Sequence, residues 1–386
     1  MRTPNKIVWI AAGNKENESL VSLFSSLVKQ VPWNCTNLLV TNAANWRTFA
    51  GETYKVTVDK EDDHSLVARY RQVVLAAYHE NVLEDADIII TGGMTAVMLT
   101  YMLTHGNSGI TLRDKPIVYV SPKVPEKGVA EFPVEGYEES MFWWMVGNMP
   151  NVHAVVLDND TEYELADKRL FRVCPNSNKK IRRLVLWKYE PLDGLPEKAD
   201  KVVWSGRWNS IKKPDIATRI MAVLSGRGID VEFFIPTISA SRRRLLTNIK
   251  ETFQRVYIGL DSQEYRKEAG NAKVLLITSE VEGQPLGYLE LLELGVVPVI
   301  RKRPWMKTFM GEGWPLIYTN EGEAVELCIE AMRNYDKYLA LMQDRLKARY
   351  NKDPNFTNLI AGIWDEYVAG DYNHDYSLDV KGRGAF

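Results

Sequence analysis

No stretch of this 386-residue sequence is long and apolar enough to span a membrane or to form the core of a secretory leader. The apolar run nearest the start, "KIVWIAA" at residues 6 to 12, reads instead as a first β-strand. Cysteine is scarce: Cys35, Cys174 and Cys328 are odd in number and far apart, which argues against a disulfide framework and offers no zinc spacing. The histidines, His64, His79, His105, His153 and His374, show no ligand spacing either. No strand candidate is followed by G-x-G-x-x-G, so a nicotinamide-linked dehydrogenase is disfavoured. Low-complexity segments and internal repeats are also lacking. The expectation is a soluble, cytoplasmic protein with no membrane span.

What is present is ordinary in bulk and uneven in layout. Hydrophobic residues at 45% and charged residues at 25% are globular values, and the length calls for two domains. The net charge of −2 conceals a basic centre, because residues 168 to 303 carry 26 Lys and Arg against 15 Asp and Glu. That segment should attract an anion, unless its cations only coat solvated helix faces.

Short β-branched runs alternate with helical patterns through both halves. "KIVWIAA", "NLLVTNA" (37 to 43), "YKVTV" (54 to 58), "DADIIITGG" (85 to 93), "PIVYVSP" (116 to 122) and "VHAVVLDND" (152 to 160) are the first series of strands. A helix over 64 to 82 has its apolar positions at a 3.6-residue period. The basic, proline-bearing stretch 176–200 reads as a linker. "KVVWSGR", "DVEFFIP", "RVYIGL", "AKVLLIT" and "VVPVI" form a second series, followed by one long helix over about 322 to 348. The reading is an α/β protein of two doubly wound, Rossmann-like domains. Residues 1–175 form the N-terminal domain and 201–350 the C-terminal one, with a helix at 355–370 packing back on the first.

The strongest local signal is "TSEVEGQPLGYLELLELGVVPVI" (278 to 300). A strand turns through "VEGQP" into a helix, whose first N–H groups and dipole suit an anion. Gly283 and Gly287 allow close approach to the backbone, and Pro285 suits the first helical turn. Glu282 lies in the turn. Glu290, eight residues on and flanked by leucines, is an expensive buried charge unless it meets a ligand.

This stretch resembles the "PS-x-x-EGFGLPLLEAMACGTPVI" pattern of the retaining GT-B glycosyltransferases marked by E-x7-E, the family 4-like group. "VVWSGRWNSIKKPD" upstream resembles that family's "GRLxxxKGxD". The resemblance implies a GT-B fold, two Rossmann-like domains facing each other across a cleft. It implies a glycosyltransferase using a nucleotide-diphosphate sugar as co-substrate, with no metal and no further cofactor. Arg207 and Lys212 or Lys213 would neutralise the diphosphate, Glu290 would bind the ribose and Glu282 the sugar, so that Glu282, Arg207 and Lys212 are the catalytic candidates. Gly206, Gly259, Leu260, Gly283, Gln284, Leu286 and Gly287 would complete the donor site around base and phosphates. "GQP" replaces the family's "GFG", which leaves the sugar open.

On the acceptor side the candidates are Gly13, Gly92 and Gly93. "YLELLELGVVPVIRKR" resembles a stretch of the bacteriophage DNA glucosyltransferases, which with the basic runs "NKKIRR", "SRRRLLTNIK" and "IRKRPWMK" makes a hydroxylated or hydroxymethylated base in double-stranded DNA the expected acceptor. A small molecule, a saccharide acceptor, or a sugar-nucleotide epimerase of the same fold are the alternatives. Asp158 and Asp160 in "LDND" have the D-x-D form of a metal–diphosphate motif, yet Asp160 reads better as a helix N-cap.

Overall fold

The computed structural model describes residues 3–12, 19–43, 46–47, 49–58, 66–92, 96–97, 100, 115–121, 149, 152–157, 181–184, 186–190, 192, 194–236, 249–282, 285–351 and 356–369. Two compact units make up the chain. Met1–Gly128, Phe132–Trp187 and Asp353–Phe386 form the first, and Val129–Glu131 with Lys188–Lys352 the second.

In the first unit β1 (Lys6–Ala11), β2 (Thr36–Thr41), β3 (Glu52–Lys55), β4 (Ile88–Thr91), β5 (Ile117–Ser121), β6 (Val152–Leu157) and β7 (Ile181–Arg183) form one sheet. Its order is β3-β2-β1-β4-β5-β6-β7, with every pairing parallel. Parallel strands need helical crossovers, so both faces are covered, and neighbouring residues of one strand enter different cores. Val8 and Ile10 pack with Val73, Val74 and Ala77 of α2 (Leu66–His79). Trp9, between them, lies 5.1 Å from Phe24 of α1 (Ser19–Val28) and 6.0 Å from Phe356, and its indole N–H donates to Asn37 Oδ1 at 3.0 Å. Phe356 opens the helix Phe356–Ala369, which therefore belongs to this unit. Burying one such ring contributes about 2 kcal/mol or more.

The second unit contains β8 (Ala199–Ser205), β9 (Asp230–Ile235), β10 (Val256–Ile258), β11 (Ala272–Ile277), β12 (Val297–Arg301) and β13 (Ile317–Tyr318) in the all-parallel order β10-β9-β8-β11-β12-β13. The helices between them are α3 (Pro214–Gly226), α4 (Ser262–Gly270), α5 (Leu286–Glu293) and α6 (Pro304–Met310), followed by α7 (Glu321–Arg333) and α8 (Tyr335–Tyr350). A charge is locked within the sheet: Lys201 Nζ meets Glu232 Oε2 at 2.7 Å, both side chains are almost fully buried, and Lys201 also donates to the Glu268 carbonyl. Arg255 Nη1 also meets Glu232 Oε1 at 3.0 Å, so removing Glu232 would strand the buried Lys201 ammonium, whereas Glu232 without Lys201 would keep Arg255.

The strand order reverses between β8 and β11, as it does between β1 and β4 in the first unit. Adjacent crossovers leave such a point on opposite faces, opening a crevice beyond the carboxyl ends of the two strands.

The stretch 176–200 holds the change of unit between Trp187 and Lys188, and it also contains β7 and the start of β8, both hydrogen-bonded into sheets. Two expectations are corrected. The strand expected at 54 to 58 runs instead over Glu52–Lys55, in register with Leu38 to Thr41. The long helix over 322 to 348 is two, broken at Asn334 (φ −113°, ψ 37°), whose side-chain amide donates to the Glu330 carboxylate at 2.9 Å while its backbone N–H closes the first helix on the Glu330 carbonyl at 3.0 Å. "SRRRLLTNIK" lies almost wholly, and "LDND" beyond Leu157, outside the described residues.

Candidate active site

The chain leaving β8 at Ser205 enters the turn Gly206 to Lys213 and then α3. Pro214 sits in the first helical turn, and Lys213 just before it adopts a left-handed conformation (φ 49°, ψ 55°). That conformation costs a residue with a side chain roughly 1–2 kcal/mol. The surrounding bonds hold it: Lys212 N–H donates to Asn209 Oδ1 (3.0 Å), Thr278 Oγ1–H to the Lys212 carbonyl (2.6 Å) and Glu280 N–H to the Ile211 carbonyl (2.8 Å). Trp204 Nε1–H donates to Thr278 Oγ1 at 3.0 Å, so the β8 turn is fastened to the carboxyl end of β11.

This turn delivers Lys212 to Glu282. The Nζ and the Oε1 form an ion pair in which both side chains are largely buried. Two further contacts hold the ammonium, the Tyr288 ring with its centroid at 4.6 Å and the Tyr288 hydroxyl at 3.4 Å. The Tyr288 hydroxyl also lies 2.8 Å from Ser279 Oγ. A second serine–tyrosine pair braces the other side of the reversal: Ser205 Oγ lies 2.9 Å from the Tyr265 hydroxyl, which reaches the Gly287 carbonyl at 3.4 Å. Burial pushes the Tyr265 and Tyr288 phenols well above their ordinary range, so both stay protonated.

Helix α5 begins here. The Tyr288 and Leu289 amides bond back to the Pro285 carbonyl, whereas those of Leu286 and Gly287 have no backbone acceptor among the described residues. Gly287 is exposed, and a Cβ added there would meet nothing within 4 Å. Glu290, one turn further on, is half-buried, and its carboxylate makes no hydrogen bond or ion pair among the described residues. Burial raises its carboxyl above the usual range against the opposing pull of Arg266. Glu293 is pushed up to about 7, mainly by burial, with Arg266 opposing and Glu290 adding to the rise.

The sequence-predicted residues are thus gathered unevenly. Gly206, Lys212, Glu282, Leu286, Gly287 and Glu290 all lie at the ends of β8 and β11 or on the first turns of α5. Arg207 is exposed beyond β8 and has no ion pair among the described residues. Gly259 (φ 65°) and Leu260 follow β10, two strands away, where the Gly259 amide bonds to the Ile235 carbonyl. Lys213 ends the β8 turn, and the ion pair with Glu282 is made by Lys212. Gly92 follows β4 in the first unit, buried against Leu20. Gly13, Gly93, Gly283 and Gln284 lie outside the described residues.

Sequence reasoning missed Ser205, Tyr265, Ser279 and Tyr288, since no local spacing links residues that only tertiary structure pairs. It also misread part of a basic run. Arg301 and Arg303 both bind the carboxylate of Glu280, at 2.9 and 2.7 Å, and Lys307 meets Glu312 at 2.8 Å. A cavity of about 390 Å³ at the ends of β12 and β13, lined by Ile216, Arg301, Tyr318 and Asn320 among others, contains none of the predicted donor residues. Among the described residues no helix is long and apolar enough to cross a membrane.

No family model matches the sequence, and no curated protein does. Solved structures do. Sucrose-phosphate synthase from Thermosynechococcus elongatus is 13% identical with a TM-score of 0.66, over 95% of this chain and all of that one. The catalytic domain of starch synthase IV from Arabidopsis thaliana, bound to ADP and acarbose, is 10% identical with a TM-score of 0.64, over 95% of this chain and all of that one. Anabaena HepE in complex with UDP-glucose is 12% identical with a TM-score of 0.62, over 95% of this chain and 99% of that one. These are GT-B glycosyltransferases, and the chain has their α/β fold.

Proposed function

We propose that the chain is a retaining, metal-independent glycosyltransferase that moves a sugar from a nucleoside-diphosphate sugar to an acceptor hydroxyl. The observation that carries this reading is the buried Lys212–Glu282 pair beside the open start of α5, at the reversal of strand order where α/β sheets bind ligands. Arg207, exposed and unpaired among the described residues, and Lys212 neutralise the diphosphate together with the Leu286 and Gly287 amides. Glu290 accepts hydrogen bonds from the ribose hydroxyls, Glu282 from the sugar, and the backbone at Gly259 and Leu260 lies beside the base. As the anomeric C–O bond to phosphate breaks, charge grows on the leaving diphosphate, where fixed cations stabilise it more than in the ground state. The departing phosphate oxygen takes the acceptor proton as the new glycosidic bond forms on the same face. No protein nucleophile enters this scheme.

For the acceptor the sequence resemblance over 288 to 303 supports a hydroxylated or hydroxymethylated base in duplex DNA. Its cations are less free than the sequence suggests, because Arg301 and Arg303 are engaged by Glu280. A saccharide acceptor is the second reading, favoured by the starch synthase and sucrose-phosphate synthase among the structural neighbours. The test has two stages. Thermal shift with UDP-glucose and ADP-glucose should show stabilisation, about 2.7 kcal/mol at 100 times the dissociation constant. Labelled transfer should then be run on hydroxymethylated duplex DNA and on oligosaccharides, with the anomeric configuration of the product read by NMR. An inverted product would overturn retention; DNA that neither binds at low salt nor accepts label would remove the nucleic-acid reading.

A further inference from the structure

Tyr265 reaches the reversal from α4, a helix to which neither the E-x7-E turn nor the β8 turn belongs. Its backbone is fixed by the helix start: the Asp261 carboxylate accepts from the Gln263 and Glu264 amides at 2.9 and 2.8 Å, and the Tyr265 amide donates to the Asp261 carbonyl at 2.9 Å. Its ring stands edge-on to Phe234 of β9, with centroids 5.8 Å apart, and Phe234 in turn stacks on Tyr257 of β10 at 4.7 Å. Backbone and ring are both held, so the hydroxyl is a fixed point. It lies 2.9 Å from the Oγ of Ser205, the last residue of β8, and 3.4 Å from the carbonyl of Gly287, in the first turn of α5. A carbonyl can only accept, so the phenol donates to Gly287 and receives a hydrogen bond from the Ser205 hydroxyl.

We propose that Tyr265 is a positioning residue for the donor diphosphate, its hydroxyl bridging the end of β8 to the first turn of α5. This rests on the glycosyltransferase reading. That reading asks two elements far apart in sequence to share one diphosphate: Arg207 and Lys212 from the turn after Ser205, and the Leu286 and Gly287 amides from α5. Such groups stabilise a leaving group most when they need no reorientation as it departs. The Lys212–Glu282 pair and the Trp204–Thr278 bond tie the β8 turn to β11 and the residues just after it. The Ser205–Tyr265–Gly287 bridge ties β8 to the helix itself. Ser205 is buried, so little water competes for its hydroxyl. The next amide in the chain, that of Gly206, donates to the Phe234 carbonyl at 3.0 Å, which holds the start of the turn against the residue that supports the Tyr265 ring.

Tyr265→Phe removes the bridge and keeps the ring on Phe234; Ser205→Ala removes half of the bridge. Calorimetry with UDP and with ADP on the parent, both variants and their combination measures the effect on binding, and urea unfolding measures stability. Tyr265→Phe should bind the nucleoside diphosphate about three- to tenfold more weakly, and Ser205→Ala about two- to fivefold, the range of ordinary hydrogen bonds. The combined variant should match Tyr265→Phe within about twofold, because the two residues act through one bridge. A bridge that only stabilises the fold would lower the urea midpoint and leave the affinity of the folded protein unchanged, and that outcome overturns the proposal. Losses that multiply in the combined variant overturn it too. Should Tyr265→Phe fail to fold, Ser205→Ala carries the same test. A parent that binds neither UDP nor ADP overturns the donor reading, and this inference with it; a parent that binds, with variants that bind equally well, overturns this inference alone.

Discussion

Two strand-order reversals built on the same plan carry different side chains in this chain. At the ends of β1 and β4 the described side chains are small or neutral: Ala11, Ala12 and Thr91 are buried, and Gly92 is closed over by Leu20. At the ends of β8 and β11 a lysine, two glutamates, two tyrosines and two serines converge. Topology therefore specifies where a ligand crevice opens, and side chains specify what it can hold. The charged reversal is also the costlier one to build, because each desolvated group there needs a partner.

Removing that partnership tests the contrast most severely. Lys212→Met leaves Glu282 buried without its cation, and should cost about 3 kcal/mol in urea unfolding. The double variant Lys212→Met with Glu282→Gln should recover most of that stability, since the uncompensated charge is gone, yet transfer should stay about a hundredfold or more below the parent. Recovery of activity along with stability would show that the pair is a structural ion pair and that the two reversals do not differ in chemistry. Arg207→Ala should leave stability within about 0.5 kcal/mol, as the side chain is exposed, while greatly weakening the thermal shift by the nucleotide sugar.

A pair of glycines contrasts the regions at smaller amplitude. A Cβ on Gly92 would come 2.1 Å from Leu20 Cδ2, too close without displacing a buried side chain, whereas one on Gly287 meets nothing. Gly92→Ala should lower stability by about 1–3 kcal/mol with donor affinity unchanged. Gly287→Ala should leave or slightly raise stability in the helix and weaken diphosphate binding several-fold, because the methyl group stands where the phosphate approaches the amides. Melting curves with and without UDP read both quantities; opposite outcomes would move the donor site to the other reversal.

The doubly wound order was legible because strands buried on both faces, such as Ile88 to Ile90 and Val274 to Ile277, leave continuous apolar runs separated by helical periods. The E-x7-E turn was legible through its glycines and helix start. Breaks set by a single side chain were not, as Asn334 shows, because helix periodicity continues across it. Nor were Tyr265 and Tyr288, since an aromatic at helical spacing reads as core until its hydroxyl is seen to have partners. The ion pairing of Arg301 and Arg303 was hidden for the same reason: Glu280 lies 21 and 23 residues away in sequence and adjacent only across β11 and β12.

The smallest effect separates the two acids of α5. Both Glu290 and Glu293 have carboxyls raised by burial, but only Glu290 is assigned a ligand. With the Glu293 carboxyl at about 7 when folded against about 4.5 unfolded, the folded chain carries a proton between those values that the unfolded chain has already lost. Stability therefore falls as pH rises through this window and is lowest above it. Glu293→Gln removes that titration, so its advantage over the parent should grow from pH 5 to pH 8 by on the order of 1–2 kcal/mol, with donor affinity at pH 8 unaltered. Glu290→Gln should show the same direction in stability and a loss of donor binding. Urea unfolding at both pH values, followed by UDP titration, measures this; a pH-independent stability difference for Glu293→Gln would place that carboxyl in solvent, and a loss of UDP binding would make it part of the site.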